Sequence, residues 1–397
     1  MQEVARGRAA GTTMTENILM VSADRWVVAG EKGPFHYMLE SFSRHWDRVD
    51  VIGMRPEKVV QTQVFGNVHL HHPTTGKLRQ ARFIAETGRR LAAERDYAVM
   101  TSHDYNPFYN GAGAWRIARA TGIPWVSEIH HVPGFPTPAT FRERIDRWAT
   151  QRYLRWARSK ASGFRVVNAV ELPALLTRWG VPAEAVHVLP SLYLDREAFV
   201  PRAETPLATD LLMVGRLVPN KGIPSVLQAL GSLASRGMDG LTMRILGRGP
   251  ERGRIDAAIA KLGLTGRIEI IDWVEDAEDL AEIYRSARVL VVASTSEGGP
   301  RVAVEAMSCG TPVIGTRVGI LPELLTEERG GRLYDGSVAE LALKLQRLFT
   351  DASQEQAMRA ALPGDLSRFD REAVIAGLAA GLKSVASSSP RRPPSSS

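Results

Sequence analysis

Short apolar runs recur along this chain, and each is followed by a helical pattern or a glycine-rich turn. The series opens with Asn17–Ser22 (NILMVS) and continues at Val49–Gly53, Ala98–Ser102, Trp125–Ile129, Gly163–Asn168 and Val186–Pro190. Helical patterns such as Leu78–Arg95 and Gly111–Thr121 separate these runs. A second series starts at Leu211 and runs through Thr242–Gly247, Ile268–Asp272, Val289–Ser294 and Pro312–Thr316. Continuous rather than alternating apolar runs suit strands buried on both faces, and strands alternating with helices predict parallel βαβ units. Two such series in tandem predict an α/β chain of two Rossmann-like domains with parallel sheets. The loops at the strands' carboxyl ends would then line an inter-domain cleft, where a ligand is expected.

With 397 residues the chain exceeds one ordinary core, so two domains fit its length. The boundaries expected are an N-terminal extension over 1–15, a first domain over 16–195, and a Pro/Ala-rich linker over 196–209. A second domain over 210–366, a final helix over 367–383 and a Ser/Pro/Arg tail over 384–397 complete the chain. Both ends have the composition of disordered segments. Cys309 is the sole cysteine, so no intrachain disulfide forms. No apolar stretch reaches the roughly 18–20 residues of a membrane span. Met1–Thr13 has two arginines but no apolar core of a secretory signal, and the chain reads as soluble and cytoplasmic.

The loops of the second series hold the chemistry. Gly215–Gly222 (GRLVPNKG) follows a strand and brings Arg216 and Lys221 onto one turn. Two such cations can neutralise a diphosphate, although a solvated basic turn has the same composition. Gly247-Arg248-Gly249-Pro250 follows the next strand and is a weak signal alone. The segment Ser294–Met307 (STSEGGPRVAVEAM) says more. Its strand ends at Ser294, a Ser/Gly loop follows, and Pro300 stands where a helix begins. Backbone N–H groups of Gly299, Arg301 and Val302 would then face an anion at a helix N-terminus. Glu305 interrupts an apolar run, and a carboxylate buried there needs donors, which ribose hydroxyls supply. Glu297, on the preceding loop, faces another part of the same ligand. The competing reading makes Glu297 a solvated loop residue and turns Glu305 outward.

In these residues the chain resembles the family-four retaining glycosyltransferases, the glycosyl transferases group 1, which share the GT-B fold of two facing Rossmann-like domains. Glu297 and Glu305 match the family's E-x7-E element within EGGPRVAVEAMSCGTPVIGTRVGILPELL. Gly215–Gly222 matches GRL-x-x-x-KG, and Gly247–Pro250 matches G-x-GP. The similarity is continuous from about Leu211 to Leu325. It implies that Arg216 and Lys221 bind a donor diphosphate and that Glu305 holds the ribose. It implies further that Glu297 contacts the transferred sugar, while main chain over Gly298, Gly299, Pro300, Arg301 and Val302, with Gly247, cradles sugar and phosphate. The donor expected is a UDP- or GDP-sugar of hexose type, handled with no metal and no cofactor beyond this co-substrate. The family's final helix returns to the first domain, as 367–383 would.

The first domain matches less closely. PWVSEIHH (Pro124–His131) resembles the family's strand ending in a histidine, which makes His130 a contact of the donor sugar with Glu297. His131, His103 and Asp104 are candidates for the acceptor side. Gly33 stands where the family has a glycine-rich loop near phosphate, though the paired glycines are not intact here. The acceptor expected is a hydroxyl on a glycan, a lipid-linked carrier or a small molecule, with the pathway (cell-envelope polysaccharide) drawn from family habit. A non-catalytic nucleotide-sugar-binding or scaffold protein of the same fold is the alternative.

The formal charge of +7 is uneven: residues 1–200 hold 26 Lys and Arg against 19 Asp and Glu. Phe141–Lys160 (FRERIDRWATQRYLRWARSK) concentrates this charge and interleaves it with Phe141, Ile145, Trp148, Tyr153, Leu154 and Trp156. Such a helix either lies on an anionic membrane, here the inner face of the plasma membrane, or packs on its own domain behind a solvated arginine face. Nucleic acid is not expected, because no nucleic-acid module accompanies the charge.

Overall fold

The computed structural model describes residues 16–202, 205–272, 274 and 276–388; the extension expected over 1–15 lies outside them. The strands are β1 (Asn17–Val21), β2 (Arg48–Ile52), β3 (Gln63–Val64), β4 (Val68–His71), β5 (Val99–His103), β6 (Trp125–Ile129), β7 (Gly163–Val166) and β8 (Val186–Val188), then β9 (Thr209–Val214), β10 (Met243–Leu246), β11 (Ile268–Ile271), β12 (Ala287–Val292), β13 (Val313–Thr316) and β14 (Gly331–Tyr334). The helices are α1 (Pro34–Phe42), α2 (Gln80–Glu94), α3 (Tyr109–Thr121), α4 (Phe141–Ala157), α5 (Glu171–Arg178), α6 (Ile223–Ala234) and α7 (Arg252–Lys261), then α8 (Ala277–Arg285), α9 (Arg301–Ser308), α10 (Leu321–Leu324), α11 (Val338–Thr350), α12 (Ala352–Ala360) and α13 (Arg371–Ser388).

Two sheets form, with strand orders β3-β4-β2-β1-β5-β6-β7-β8 and β11-β10-β9-β12-β13-β14. Strand β3 pairs with β4 antiparallel, whereas β1 with β2 and β5, β2 with β4, β7 with β8, and the strands of the second sheet pair in parallel. The second order is that of a Rossmann sheet, with the order of strand addition reversing between β9 and β12. Period-two alternation explains why these strands read as unbroken apolar runs. On β9, Leu211 and Met213 enter one core with α6 and α11, whereas Leu212 enters another with α8 and α9. Each face of the sheet is therefore buried.

The chain divides into two compact units, one holding Met1–Ser102, Tyr109–Val126 and Leu382–Ser397, the other His103–Phe108 and Ser127–Gly381. In the first, β1 pairs with β2 and β5, and Gly33 is the extended N-cap residue of α1. The end of α13 belongs here too: Lys383 pairs with Glu16 and lies over the Trp46 ring.

Residues 127–195 carry β7 and β8 of the first sheet and at the same time group by their contacts with the second compact unit. There the Ser296 hydroxyl donates to the Val132 carbonyl at 3.1 Å, and Asn168 Nδ2 donates to the Gly298 carbonyl at 3.1 Å. Glu323 accepts from the N–H groups of Ala169 and Val170 at 2.9 and 3.1 Å. Residues 384–388, expected in the tail, are helical instead, and the rest of that expected tail lies outside the described residues. The final helix continues to Ser388, since Val385 is buried and Ser387 and Ser388 bond back to carbonyls one turn earlier.

Candidate functional site

The second unit's sheet reverses between β9 and β12, and the loops that leave these two strands approach each other. At the β9 end, Pro219–Lys221 forms a single 3-10 turn closed by Gly222, whose φ of +67° suits glycine. Asn220 fastens this turn to the β12 loop: its carbonyl accepts from Thr295 N–H at 2.8 Å, and its side chain donates to the Ser296 carbonyl at 3.1 Å. Lys221 is thereby held against Glu297, and the ammonium and carboxylate form an ion pair. Ser294 Oγ donates to the same Glu297 oxygen at 3.0 Å. Arg216 lies exposed one turn earlier and has no carboxylate paired with it among the described residues. Gly215, Arg216, Lys221, Ser294 and Val302 line one cavity, so the basic turn of β9 and the Ser/Gly loop of β12 share a site. Gly247 serves this convergence by packing: a Cβ there would stand 1.9 Å from the Gly215 carbonyl oxygen.

Pro300 is the N-cap residue of α9, and Arg301 and Val302 are its first two residues, so their N–H groups open toward the loop. The Arg301 side chain turns aside, its guanidinium 4.6 Å from the centre of the Tyr193 ring. One turn on, Glu305 is buried, and the Tyr284 hydroxyl from α8 donates to its Oε2 at 2.8 Å. Burial raises the Glu305 pKa, while the Tyr284 bond and the Arg301 charge oppose that shift. The reading that turned Glu305 outward fails, and so does the idea that a ligand alone must satisfy it.

On the β6 side, Gly298 meets the histidines. A Cβ at Gly298 would stand 1.9 Å from the His130 carbonyl oxygen, so only glycine permits this approach. His130 stacks on His103 with ring centres 4.2 Å apart. Its Nε2 lies 3.2 Å from Glu128 Oε2, which also accepts from Arg165 Nη1 at 3.0 Å. Burial pushes the Glu128 carboxyl up, but Arg165 and His130 outweigh it and leave the group below the usual carboxylate range. His103 is driven down to about 3, first by desolvation and then by His130, so this imidazole is neutral. His131 sits at the solvent edge, where surrounding protein lowers its pKa and Glu297 opposes the change. The charges of Glu297, Arg216 and Lys221 all reach His131, which puts it within electrostatic range of the basic turn.

Asp104 does not join this wall. Its buried Oδ2 accepts from Ser127 and Tyr153 hydroxyls, each at 2.5 Å, which ties β6 to α4. Gly33 belongs to the other unit.

The residue pattern of this site has known counterparts. Residues 201–362 match the family model of glycosyl transferases group 1, and residues 31–191 match that of the glycosyl transferase 4-like domain. The chain belongs to the group 1 glycosyltransferases. It is 30% identical over 267 residues to an MMP alpha-(1->4)-mannosyltransferase of Mycolicibacterium hassiacum, an alignment covering 64% of this chain and 60% of that protein. The chain thus spans less than two thirds of the length of this curated relative. Among solved structures, a sucrose-phosphate synthase from Thermosynechococcus elongatus superposes with a TM-score of 0.73 at 20% identity, covering 91% of this chain and 96% of the other. Anabaena HepE, in complex with UDP-glucose, gives 0.70 at 18% identity, covering 93% and 99%. The fold is that of the GT-B glycosyltransferases.

Within the family motifs, the structure adds partners that motif matching leaves out. Tyr284 supports Glu305, Ser294 supports Glu297, and Asn220 and Asn168 tie the loop that carries it. The Glu128–Arg165 pair behind His130 had a visible signal. Each charge interrupts an apolar strand, WVSEI and GFRV, and two opposite mid-strand charges are buried at tolerable cost only together.

Proposed function

We propose that the chain transfers a hexose-type sugar from a nucleoside-diphosphate donor to a hydroxyl acceptor, with retention of anomeric configuration and without a divalent metal. The observation that carries this reading is the convergence of Lys221, Glu297, the first turn of α9 and Glu305 at the sheet's reversal point. A diphosphate seated there meets two cations and a helix N-terminus, which stabilise the charge that develops on the leaving group. Glu305, already fixed by Tyr284, accepts from ribose hydroxyls. Glu297 accepts from the sugar and faces positive charge at the anomeric carbon. His130, held by Glu128, hydrogen-bonds a sugar hydroxyl. The acceptor oxygen attacks the anomeric carbon from the leaving group's face, the carbon–phosphate-oxygen bond breaks, and the departing diphosphate takes the acceptor's proton.

UDP or GDP is the nucleotide expected; the UDP-glucose held by Anabaena HepE supports the first. Incubation with UDP- and GDP-sugars and hydroxyl acceptors in chelator, followed by NMR of the product's anomeric proton, tests the proposal. An α-linked product from an α-linked donor agrees with it. A β-linked product, or donor binding with no turnover on any acceptor, contradicts it.

A further inference from the structure

Helix α4 carries two apolar faces, and only one of them is covered. Thr140 caps the helix by accepting from Glu143 N–H at 3.2 Å, and at 100° per residue its side chains fall into two sets. Thr150, Tyr153, Leu154 and Ala157 point inward and are buried, and the Tyr153 ring stacks on Phe108 at 4.2 Å. The grouping of Tyr153 and Leu154 with Phe141, Ile145 and Trp148 on one surface is therefore corrected. The latter three recur at four- and three-residue steps on the opposite side, 75%, 48% and 60% exposed. Arg152 and Arg155 continue that same stripe toward the helix's carboxyl end.

Three large apolar side chains in consecutive turns are not a solvated face. Their surroundings specify what they meet. Arg144 and Arg147, with Trp148, Pro138 and Gln151, line an open cavity of about 380 Å³ beside the stripe. The Arg152 guanidinium lies 5.5 Å from the Trp148 ring. Acids offset only part of this charge: Asp146 pairs with Arg142 at 3.8 Å and accepts from Asn106 at 2.5 Å, Glu143 accepts from Ala139 N–H at 2.6 Å, and Arg147 lies over the Phe135 ring at 5.3 Å without a carboxylate partner among the described residues. Apolar rings ringed by guanidinium groups, with a Trp at their border, match an interface of acyl chains below and phosphates above.

We propose that this face of α4 seats the protein on an anionic phospholipid bilayer, with Phe141, Ile145 and Trp148 entering the headgroup boundary and Arg144 and Arg147 taking a lipid phosphate. This seat is independent of the transfer chemistry and holds whether or not the chain turns over a sugar nucleotide.

The test is co-sedimentation of the full chain with vesicles of phosphatidylcholine, alone or mixed with phosphatidylglycerol, at low and high salt. Wild type sediments with the mixed vesicles only, and salt releases it. F141S/W148S abolishes sedimentation. R144Q/R147Q lowers the partition coefficient roughly 30-fold, from about fivefold per basic residue near a charged surface. These side chains are exposed or line an open groove, so melting temperatures that match wild type confirm intact variants. Equal sedimentation with neutral vesicles overturns the proposal. So does wild type that ignores vesicles but self-associates in sedimentation velocity and becomes monomeric on F141S/W148S, a result that assigns the stripe to a second copy of the chain.

Discussion

Replacing Lys221 by Met and, separately, Glu297 by Gln should move nucleotide affinity in opposite directions. The Lys221 ammonium is paired with Glu297, and each side chain is under one fifth exposed, at 19% and 18%. A contact pair in an environment of effective dielectric near 20 interacts by about 4 kcal/mol, and desolvation and screening reduce the net to about 1–2 kcal/mol. A bare nucleoside diphosphate must compete with that carboxylate for the same ammonium. Glu297→Gln removes the competitor and a like charge, so the diphosphate gains about 1–2 kcal/mol, roughly 5–30-fold in Kd. Lys221→Met removes a charged donor and costs about 1.5–3 kcal/mol, roughly 10–150-fold. Transfer should fall in both variants, because the proposed mechanism also sets Glu297 against the sugar. Titration calorimetry with the nucleoside diphosphate, in chelator and at two salt concentrations, reads the signs. Weaker binding of the bare nucleotide by Glu297→Gln would refute the competition argument, as would an unchanged Kd in Lys221→Met.

Other expectations follow from the same geometry. Gly298→Ala places a methyl 1.9 Å from the His130 carbonyl oxygen, so the loop must retreat by about 1 Å; kcat/KM should fall about 100-fold with little change in nucleotide binding, and full activity would contradict the close approach. Arg165→Met strands the buried Glu128 carboxylate and should lower unfolding free energy by about 3–5 kcal/mol in denaturant titration, whereas a loss under about 1 kcal/mol would mean that the pair is not buried in solution. Glu171, desolvated where it accepts from Gly319 N–H and faces Glu323, has its pKa pushed up to about 7. The native state therefore holds that proton more tightly than the unfolded chain, and Glu171 costs stability progressively as pH rises from its unfolded pKa through about 7. Glu171→Gln should then be about 1–2 kcal/mol more stable than wild type in mildly alkaline buffer, after allowance for screening, and equal to it in acid; a pH-independent difference would refute this.

Much of this architecture was legible in the sequence because parallel strands buried on both faces leave unbroken apolar runs, and turns after them leave glycines. Leu211–Val214 and Val289–Val292 announced the strands β9 and β12, and the loops after them announced Arg216, Lys221, Glu297 and Glu305. What stayed hidden depends on which loops touch. Residues 127–195 supply β7 and β8 to the first sheet, as their apolar runs suggest, but strand periodicity carries no record of loop hydrogen bonds such as Asn168 to Gly298. Asp104 read as a site residue because a carboxylate after a strand looks the same whether it faces a ligand or, as here, Ser127 and Tyr153. The helix over 141–157 read as one amphipathic surface because its two apolar faces overlap in composition and separate only when the inward one is known.

The most direct test of the proposed function is a thermal-shift panel of UDP-, GDP-, ADP- and dTDP-sugars on the purified chain in chelator, with Glu305→Ala beside wild type. A ligand that binds the native state raises the melting temperature by mass action. The site as built predicts that one nucleotide class stabilises wild type and that the increment vanishes in Glu305→Ala, whatever the variant's own melting temperature. Stabilisation that survives in Glu305→Ala, or no stabilisation of wild type by any of the four, would contradict a donor site centred on Glu305 and Lys221.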